Sequence, residues 1–437
     1  MTQTGRAART ETETTPTVMD EIWVQGGRRL SGRVAASGSK NATLPVLAAT
    51  LLAPGVYRLT NVPDLKDVGT MLEMLGRFGV VSRRTGPHEL SIDTRNQQNA
   101  EAPYELVKTM RASIYVLGPL LARYGEARVS LPGGCAWGPR PVDLHIRGMQ
   151  MLGADVEIEH GYIVAHAPEG LRGSTIAFDI SSVGATGNLL MAAALAAGRT
   201  VIENAACEPE IEALARFLVG MGAEIEGIGS ARLVVTGSRE LTPCDAAMIP
   251  DRIEAGTILA AAAITGGDVE VTDVEPAHLG ASLAKFEATG ASVEISDRAV
   301  RLRAPERPEA VSLTTAPFPG FPTDMQAQFM ALLSVARGAS TIVDTIYHDR
   351  FTHVAELQRL GADIRVEGNT AFVQGVEGLS GAPVMATDLR ASAALILAGL
   401  VAGGETRVSR VYHLDRGYER MEAKLSALGA VIRRVRV

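Results

Sequence analysis

Lys40 stands in Ser37-Gly38-Ser39-Lys40-Asn41, just ahead of an apolar stretch that begins near Thr43. Backbone N–H groups at such a helix start, together with the lysine, could hold an anion. The segment could equally be a serine-capped turn with a solvated lysine. It lacks the spacing of a nucleotide-binding P-loop. Residues 132–141, PGGCAWGPRP, hold three glycines and three prolines in ten positions. That stretch is too broken for a helix or a central strand and must be a loop. It carries Cys135, Trp137 and Arg140, so it reads either as a functional loop with a reactive thiol or as a structural loop with an inert one. Cys207 and Cys244 lie in no such loop and are read as inert.

Arginines recur near the ends of predicted elements: Arg111, Arg252, Arg350, Arg390 and Arg416, several with an aspartate one or two residues before. Each could be an ordinary ion pair with that neighbour. Brought to one cleft with Lys40, they would instead suit a small polyanion such as a phosphorylated carboxylate. Asp324, in FPTDMQAQ, could be a helix N-cap or a base, and on position alone reads as a cap. Gly227-Ile228-Gly229 opens like a dinucleotide fingerprint, but Arg232 stands where the third glycine is needed. His348 and His353 are five apart, off a common helical face, and no metal set can be read.

The elements that must position these residues repeat. Six amphipathic helices each end at a glycine followed by an alternating strand, at Gly79, Gly153, Gly222, Gly290, Gly361 and Gly429. The spacings are 74, 69, 68, 71 and 68, and glycine just past a helix end is the expected left-handed cap. Between them lies a second series of more uniformly apolar, Ala/Leu-rich helices that stop at Gly55, Gly125, Gly198, Gly267, Gly338 and Gly404, each with a short strand after it. A helix apolar all round belongs in an interior, and one with a charged face belongs outside. The pattern therefore predicts helices inside and strands outside. Six units could close as one ring or as two groups of three. A single core of 437 residues would exceed the usual limit, so two three-repeat domains with a cleft between them are favoured.

Composition narrows the rest. Apolar residues make up 46% and charged residues 21%, which excludes wholesale disorder. Lys plus Arg is 42 against 49 for Asp plus Glu, a net charge of −7, so neither nucleic acid nor a membrane surface is an expected partner and any anion site must be local. No apolar run approaches the roughly 18 residues of a membrane span. The cysteines are 72 and 37 positions apart, which gives no disulfide framework or metal cluster and fits a reducing cytoplasm. Residues 1–19, with seven threonines and no apolar core, read as a disordered tail and not an export signal.

From about Ile22 to Val437 the chain closely resembles the enolpyruvyl transferases, and among them the branch acting on UDP-N-acetylglucosamine. The resemblance is carried in order by SGSKNATLP, KTMRASI, LPGGC, RPVDLH, SVGAT, ENAACEPEI, PDRIE, FPTDMQAQF, ATDLRAS and YHLDRGYER. It implies a two-domain inside-out α/β barrel of six repeats, with a first domain at 41–249 and a second combining 20–40 with 250–437. It also implies transfer of the enolpyruvyl group of phosphoenolpyruvate to the sugar 3-hydroxyl, with release of phosphate, the first committed step towards peptidoglycan. No metal or organic cofactor is implied.

That chemistry needs an acid for the methylene carbon, a base for the hydroxyl, and cations for phosphate and carboxylate. Cys135 matches the proton donor of the family's lid, the thiol that would open an epoxide phosphonate such as fosfomycin and be inactivated by it, and Asp324 matches the proposed base. Lys40, Arg140, Arg350, Arg390 and Arg416 match the cationic set. For Lys40 and Arg416 the implied charge partners are substrate oxygens and not buried carboxylates. Asn41, Arg111, the run Arg140, Pro141, Val142, Asp143 and Leu144, the run Ile180, Ser181, Ser182 and Val183, and Asp324 and Ile346 match the nucleotide-sugar contacts. Asp388 matches an acid near the reacting centre. One departure is Ile180, where some members have a lysine. The rival readings are an enolpyruvyl transferase acting on another acceptor, such as shikimate 3-phosphate, and a catalytically silent nucleotide-sugar sensor.

Overall fold

The structure is a computed structural model and describes residues 20–98, 101–131, 142–347 and 349–437. The expected tail, with Cys135, Trp137, Arg140, Pro141 and His348, lies outside them.

Both glycine ladders organise the backbone. The six glycines of the first series all have positive φ, between +79° and +104°, where a side chain would strain the backbone. A strand opens two residues after each of them, from Val81 in the first unit to Val431 in the last. The second series also ends helices and starts strands, but only Gly125, Gly198, Gly338 and Gly404 are left-handed. In the fourth unit Gly266 takes that conformation in place of Gly267, and in the first unit Pro54 precedes Gly55 and the turn is made without it.

Each of the first five units runs inner helix, strand, outer helix, strand hairpin, and the sixth runs the same way up to the first strand of the hairpin. In the fourth unit these are Arg252–Ile264, Asp268–Thr272, Gly280–Ala288, and Ser292–Ser296 with Ala299–Arg303. The inner helix is buried at every position from Ile253 to Ile264. Its run Ala260–Ala263 adds no side-chain entropy cost and lets neighbouring helices approach closely. The outer helix Lys66–Arg77 buries only the stripe Asp67, Val68, Met71, Met74 and Leu75. Helices inside and sheets outside, as the apolar patterning predicts, follows from this difference.

Six sheets cover the inner helices. In three of them a short strand from the end of one unit pairs in parallel with the first strand of the next, as Leu313–Thr314 does with Ile342–Val343, and Ala246–Ala247 of the third unit pairs back with the first strand of the first. Two cores result. One gathers apolar side chains from Leu44 to Met248. The other combines Ile22 to Ala36 with Ile253 to Ala430.

The chain's beginning completes the second core in two places. Ser31–Ala35 pairs in parallel with Asp268–Thr272, and Asp20–Gln25 lies between Glu405–Ser409 and Val431–Arg436. That second position belongs, in the other units, to the return strand of the hairpin. The two passages between cores run side by side: Ser39 N donates to Ile249 O at 2.7 Å and Asp251 N to Ser37 O at 2.8 Å. Gly38 is required there, since a Cβ would sit 1.7 Å from the Asn61 carbonyl oxygen.

Candidate active site

Many of the candidate residues stand at or near the N-termini of inner helices. Ser39 caps Lys40–Ala49 by accepting from Ala42 N, Asp251 caps Arg252–Ile264, and Asp388 caps Leu389–Val401. Asp324 does not behave this way. It lies in the 3₁₀ turn Thr323–Met325 ahead of the inner helix Gln326–Leu333, and its side chain caps neither. Arg350 instead donates through Nη2 to its Oδ1 at 2.6 Å, and Arg390 through Nη2 to its Oδ2 at 2.8 Å. The cap expectation is thereby corrected. Burial alone would raise the carboxyl, but Arg390 and Arg350 hold it well below the usual carboxylate range.

Arg390 is set by its place in the first turn of a buried helix. Asp388 accepts from Arg390 N at 2.8 Å and Ala391 N at 3.1 Å, which spends its Oδ1 on the helix terminus. The guanidinium is only 4% exposed, and its Nε and Nη1 find no hydrogen-bond acceptor among the described residues. It lies 5.3 Å from the centre of the Tyr418 ring. The Tyr418 hydroxyl contacts Thr257 at 2.9 Å and accepts from Gln328 Nε2 at 3.0 Å. Gln328 also donates to the Asp324 carbonyl at 2.9 Å, so one buried network underlies both members of the pair.

Lys40 and Arg416 meet a second carboxylate. Lys40 Nζ is 3.5 Å from Asp67 Oδ2, and Arg416 Nε donates to Asp67 Oδ1 at 2.8 Å. Asp67 is almost fully buried, so the expectation that these cations have only substrate oxygens as partners is corrected. The lysine is not solvated either: its side chain is 12% exposed. Burial lowers its pKa, Asp67 and Asp324 oppose that, and Arg390 and Arg416 add to it, as expected if the two clusters share one cleft.

The aspartates next to the arginines in sequence are not their partners. Asp415 pairs with Arg434 and Lys66, and Asp388 works as a cap. Arg252 likewise pairs away from its neighbour Asp251, which caps the helix, and meets buried Glu210 at 3.0 Å.

The expected nucleotide-sugar residues within the described range are distributed over both cores. Asn41 sits partly buried in the first turn after the Ser39 cap. Val142, Asp143 and Leu144 lead into the helix Asp143–Met151. Ser181 is partly buried, and Ser182 caps the inner helix that starts at Val183. Ile180 is 74% exposed. Arg111 opens a 3₁₀ turn, and its charge is felt by both His145 of the first core and Tyr347 of the second. Ile346 is held through its N–H by Asp344 at 3.0 Å. Asp67, Thr323, Asp344, Gln328 and Tyr418, which sequence reasoning missed, are tied to the candidate residues by direct contacts or through Thr323. Asp67 alone carried a signal, an acid in a helix first turn, but one with an ordinary explanation.

Residues 24–425 match the family model of EPSP synthase (3-phosphoshikimate 1-carboxyvinyltransferase). A curated UDP-N-acetylglucosamine 1-carboxyvinyltransferase from Geobacter metallireducens is 55% identical over 418 residues, 96% of this chain and 100% of that protein. One from Chlorobium luteolum is 56% identical over 418 residues, 95% of this chain and 98% of that protein. The chain belongs to the UDP-N-acetylglucosamine 1-carboxyvinyltransferase family. Among solved structures, the enolpyruvyl transferase NikO from Streptomyces tendae aligns with a TM-score of 0.86 at 26% identity, covering 96% of this chain and 100% of that one. An EPSP synthase from Acinetobacter baumannii aligns at 0.73 and 18%, over 96% of this chain and 100% of that one, a likeness of fold alone. Identity thus sets this family member with the nucleotide-sugar branch and apart from the shikimate-phosphate branch. No helix among its described residues is long and apolar enough to cross a membrane.

Proposed function

We propose that this chain transfers the enolpyruvyl group of phosphoenolpyruvate to the 3-hydroxyl of UDP-N-acetylglucosamine and releases phosphate, the first committed step towards peptidoglycan, in a reducing cytoplasm. The observation that carries the site reading is Asp324 shared between two buried arginines, one of them with two N–H-bearing nitrogens that lack acceptors among the described residues. Unused buried donors on a permanent cation are costly without an anion to receive them. The oxyanions of phosphoenolpyruvate supply one.

In this reading the two cores are domains, 41–249 and 20–40 with 250–437, and substrates bind at their junction. Lys40, Arg140, Arg350, Arg390 and Arg416 hold the phosphate and carboxylate of phosphoenolpyruvate. Asn41, Arg111, Arg140 to Leu144, Ile180 to Val183 and Ile346 hold the nucleotide sugar. The substrate's oxyanions compete with Asp324 for Arg350 and Arg390, and a carboxylate released from two guanidiniums regains basicity. Asp324 then takes the proton of the 3-hydroxyl as its oxygen attacks C2 of phosphoenolpyruvate, while Cys135 delivers a proton to the methylene carbon. The product of addition is a tetrahedral centre that still bears phosphate. Loss of a proton from the neighbouring carbon and departure of phosphate give the enol ether. Asp388, spent on its helix cap, acts by holding Arg390 in place. The test is phosphate release in the presence of both substrates. No release with UDP-N-acetylglucosamine, or equal release with shikimate 3-phosphate as acceptor, would overturn the reading.

A further inference from the structure

Asp344 follows the strand Ala339–Val343, is fully buried, and has no cation in direct contact by any hydrogen bond of its side chain among the described residues. Its charge is met by four donors. Oδ1 accepts from the Thr315 hydroxyl at 2.9 Å and from the N–H groups of Ile346 and Tyr347 at 3.0 Å each. Oδ2 accepts from the Thr323 hydroxyl at 2.8 Å. That hydroxyl oxygen in turn lies 2.8 Å from Arg350 Nη1.

The direction of every bond in this chain is set by chemistry. A carboxylate only accepts and a guanidinium only donates. The Thr323 proton must therefore point to Asp344, and the Thr323 lone pair must face Arg350. Arg350 is consequently forked across two adjacent residues, with Nη1 on Thr323 and Nη2 on Asp324 Oδ1. Without the Thr323 acceptor, the favoured arrangement for an arginine beside a carboxylate is bidentate, two parallel bonds with one nitrogen on each oxygen. That would contest Asp324 Oδ2, which Arg390 occupies.

We propose that Thr323 and Asp344 are positioning residues: Asp344 orients the Thr323 hydroxyl, and Thr323 holds Arg350 to a single Asp324 oxygen so that the other remains with Arg390. The inference rests on the reading of this cleft as the phosphoenolpyruvate site. Both act by fixing where two guanidiniums and one carboxylate stand before substrate arrives, and misplacement of such groups by about 1 Å can cost on the order of a hundredfold in rate.

Thr323→Val keeps the shape of the side chain and removes the hydroxyl, and Thr323→Ser keeps the hydroxyl. In the full-length protein, Thr323→Val should lower kcat/KM for phosphoenolpyruvate by roughly ten- to a hundredfold while KM for UDP-N-acetylglucosamine changes less than about threefold. Its melting temperature should fall by no more than about 4 °C. Thr323→Ser should recover kcat/KM to within about threefold of wild type. The proposal is overturned if Thr323→Val matches wild type, if the serine variant is as impaired as the valine variant, or if the hydroxyl-free variants Thr323→Val and Thr323→Ala both fail to fold, since the hydroxyl would then be structural. Wild-type protein that releases no phosphate from the two substrates would instead refute the functional reading beneath it.

Discussion

Arg416 reaches across 349 positions of chain to donate its Nε to Asp67 at 2.8 Å, joining the second core to the outer helix Lys66–Arg77 of the first. Lys40 approaches the other oxygen of the same carboxylate at 3.5 Å. A buried carboxylate with two cations is a stability element as well as a means of holding those cations for an anion. Arg416→Ala should therefore cost about 1–3 kcal/mol of unfolding free energy in the absence of substrate, and also weaken phosphoenolpyruvate use. In a double-mutant cycle, Asp67→Asn and Arg416→Ala should couple by at least about 0.5 kcal/mol in urea unfolding. Additive losses would mean that the pair does not hold the two halves together.

Asp324→Asn should abolish most turnover. The amide can still accept from one guanidinium and meet the sugar hydroxyl, but it cannot take a proton, and general-base catalysis accounts for about a hundredfold or more. The dissociation constant for UDP-N-acetylglucosamine, measured by calorimetry, should move by less than about tenfold. Because Arg390 and Arg350 keep this carboxyl ionised well below its usual range, kcat/KM for the free enzyme should show no acid limb from Asp324 above about pH 4. Full turnover in the variant would remove the base assignment and leave Asp324 as a hub for two arginines.

The backbone was far more legible in the sequence than the site. A left-handed helix stop calls for glycine at one place in every unit, so Gly79 to Gly429 stand out by residue type alone. Completion of the last sheet by Asp20–Gln25 was not legible, because nothing local marks a strand whose partners lie near the other end of the chain. The arginine partners misled for a related reason. Adjacency suggested Asp388 for Arg390, but a helix N-terminus had already taken that carboxylate. Pro322-Thr323-Asp324 resembled a helix start, and a cap contributes about 1 kcal/mol. Two buried guanidiniums left without their carboxylate would cost several times that, so the ion pairs decide where the side chain goes. The buried roles of Thr323 and Asp344 needed coordinates, since isolated threonines and aspartates in loops are ordinary turn residues.

His145 should make stability depend on pH. Asn188 donates through Nδ2 to Ile114 O at 2.8 Å and accepts at Oδ1 from Gly118 N at 2.6 Å, which fixes its amide. The same Nδ2 faces His145 Nδ1 at 3.0 Å, so that ring nitrogen must accept and the imidazole is neutral. Burial, aided by the charge of Arg111, lowers its pKa from 6.5 to about 4. Between these values the unfolded chain binds a proton that the folded chain does not, and stability falls as pH drops through the window. The loss from this residue approaches the order of 3 kcal/mol at the acid end. His145→Gln keeps an acceptor and does not titrate. Its stability relative to wild type should therefore improve steadily from about pH 7 to pH 4.5 in urea unfolding, and a constant difference would show that His145 does not titrate as described.

Cys135, by its match to the family's lid thiol, should be the site of covalent inactivation by an epoxide phosphonate such as fosfomycin. The phosphonate is an analogue of the phosphate that Lys40, Arg390 and Arg416 would hold, and cations beside the thiol, as the family match implies, would favour thiolate, the form that opens an epoxide. The other two cysteines face the opposite influence. Burial raises the pKa of Cys207, aided by Glu208, and of Cys244, aided by Asp245, and their thiols donate to backbone carbonyls at 3.7 Å. In the proposed mechanism the residue at 135 delivers a proton to carbon, which a carboxylic acid can do while being a much poorer nucleophile towards the epoxide. Cys135→Asp should keep measurable phosphate release and escape inactivation. Cys135→Ser should lose most activity, because a hydroxyl is too weak an acid. Peptide mass mapping after treatment should find the adduct on Cys135, and an adduct on Cys207 or Cys244 with Cys135 unmodified would overturn the assignment.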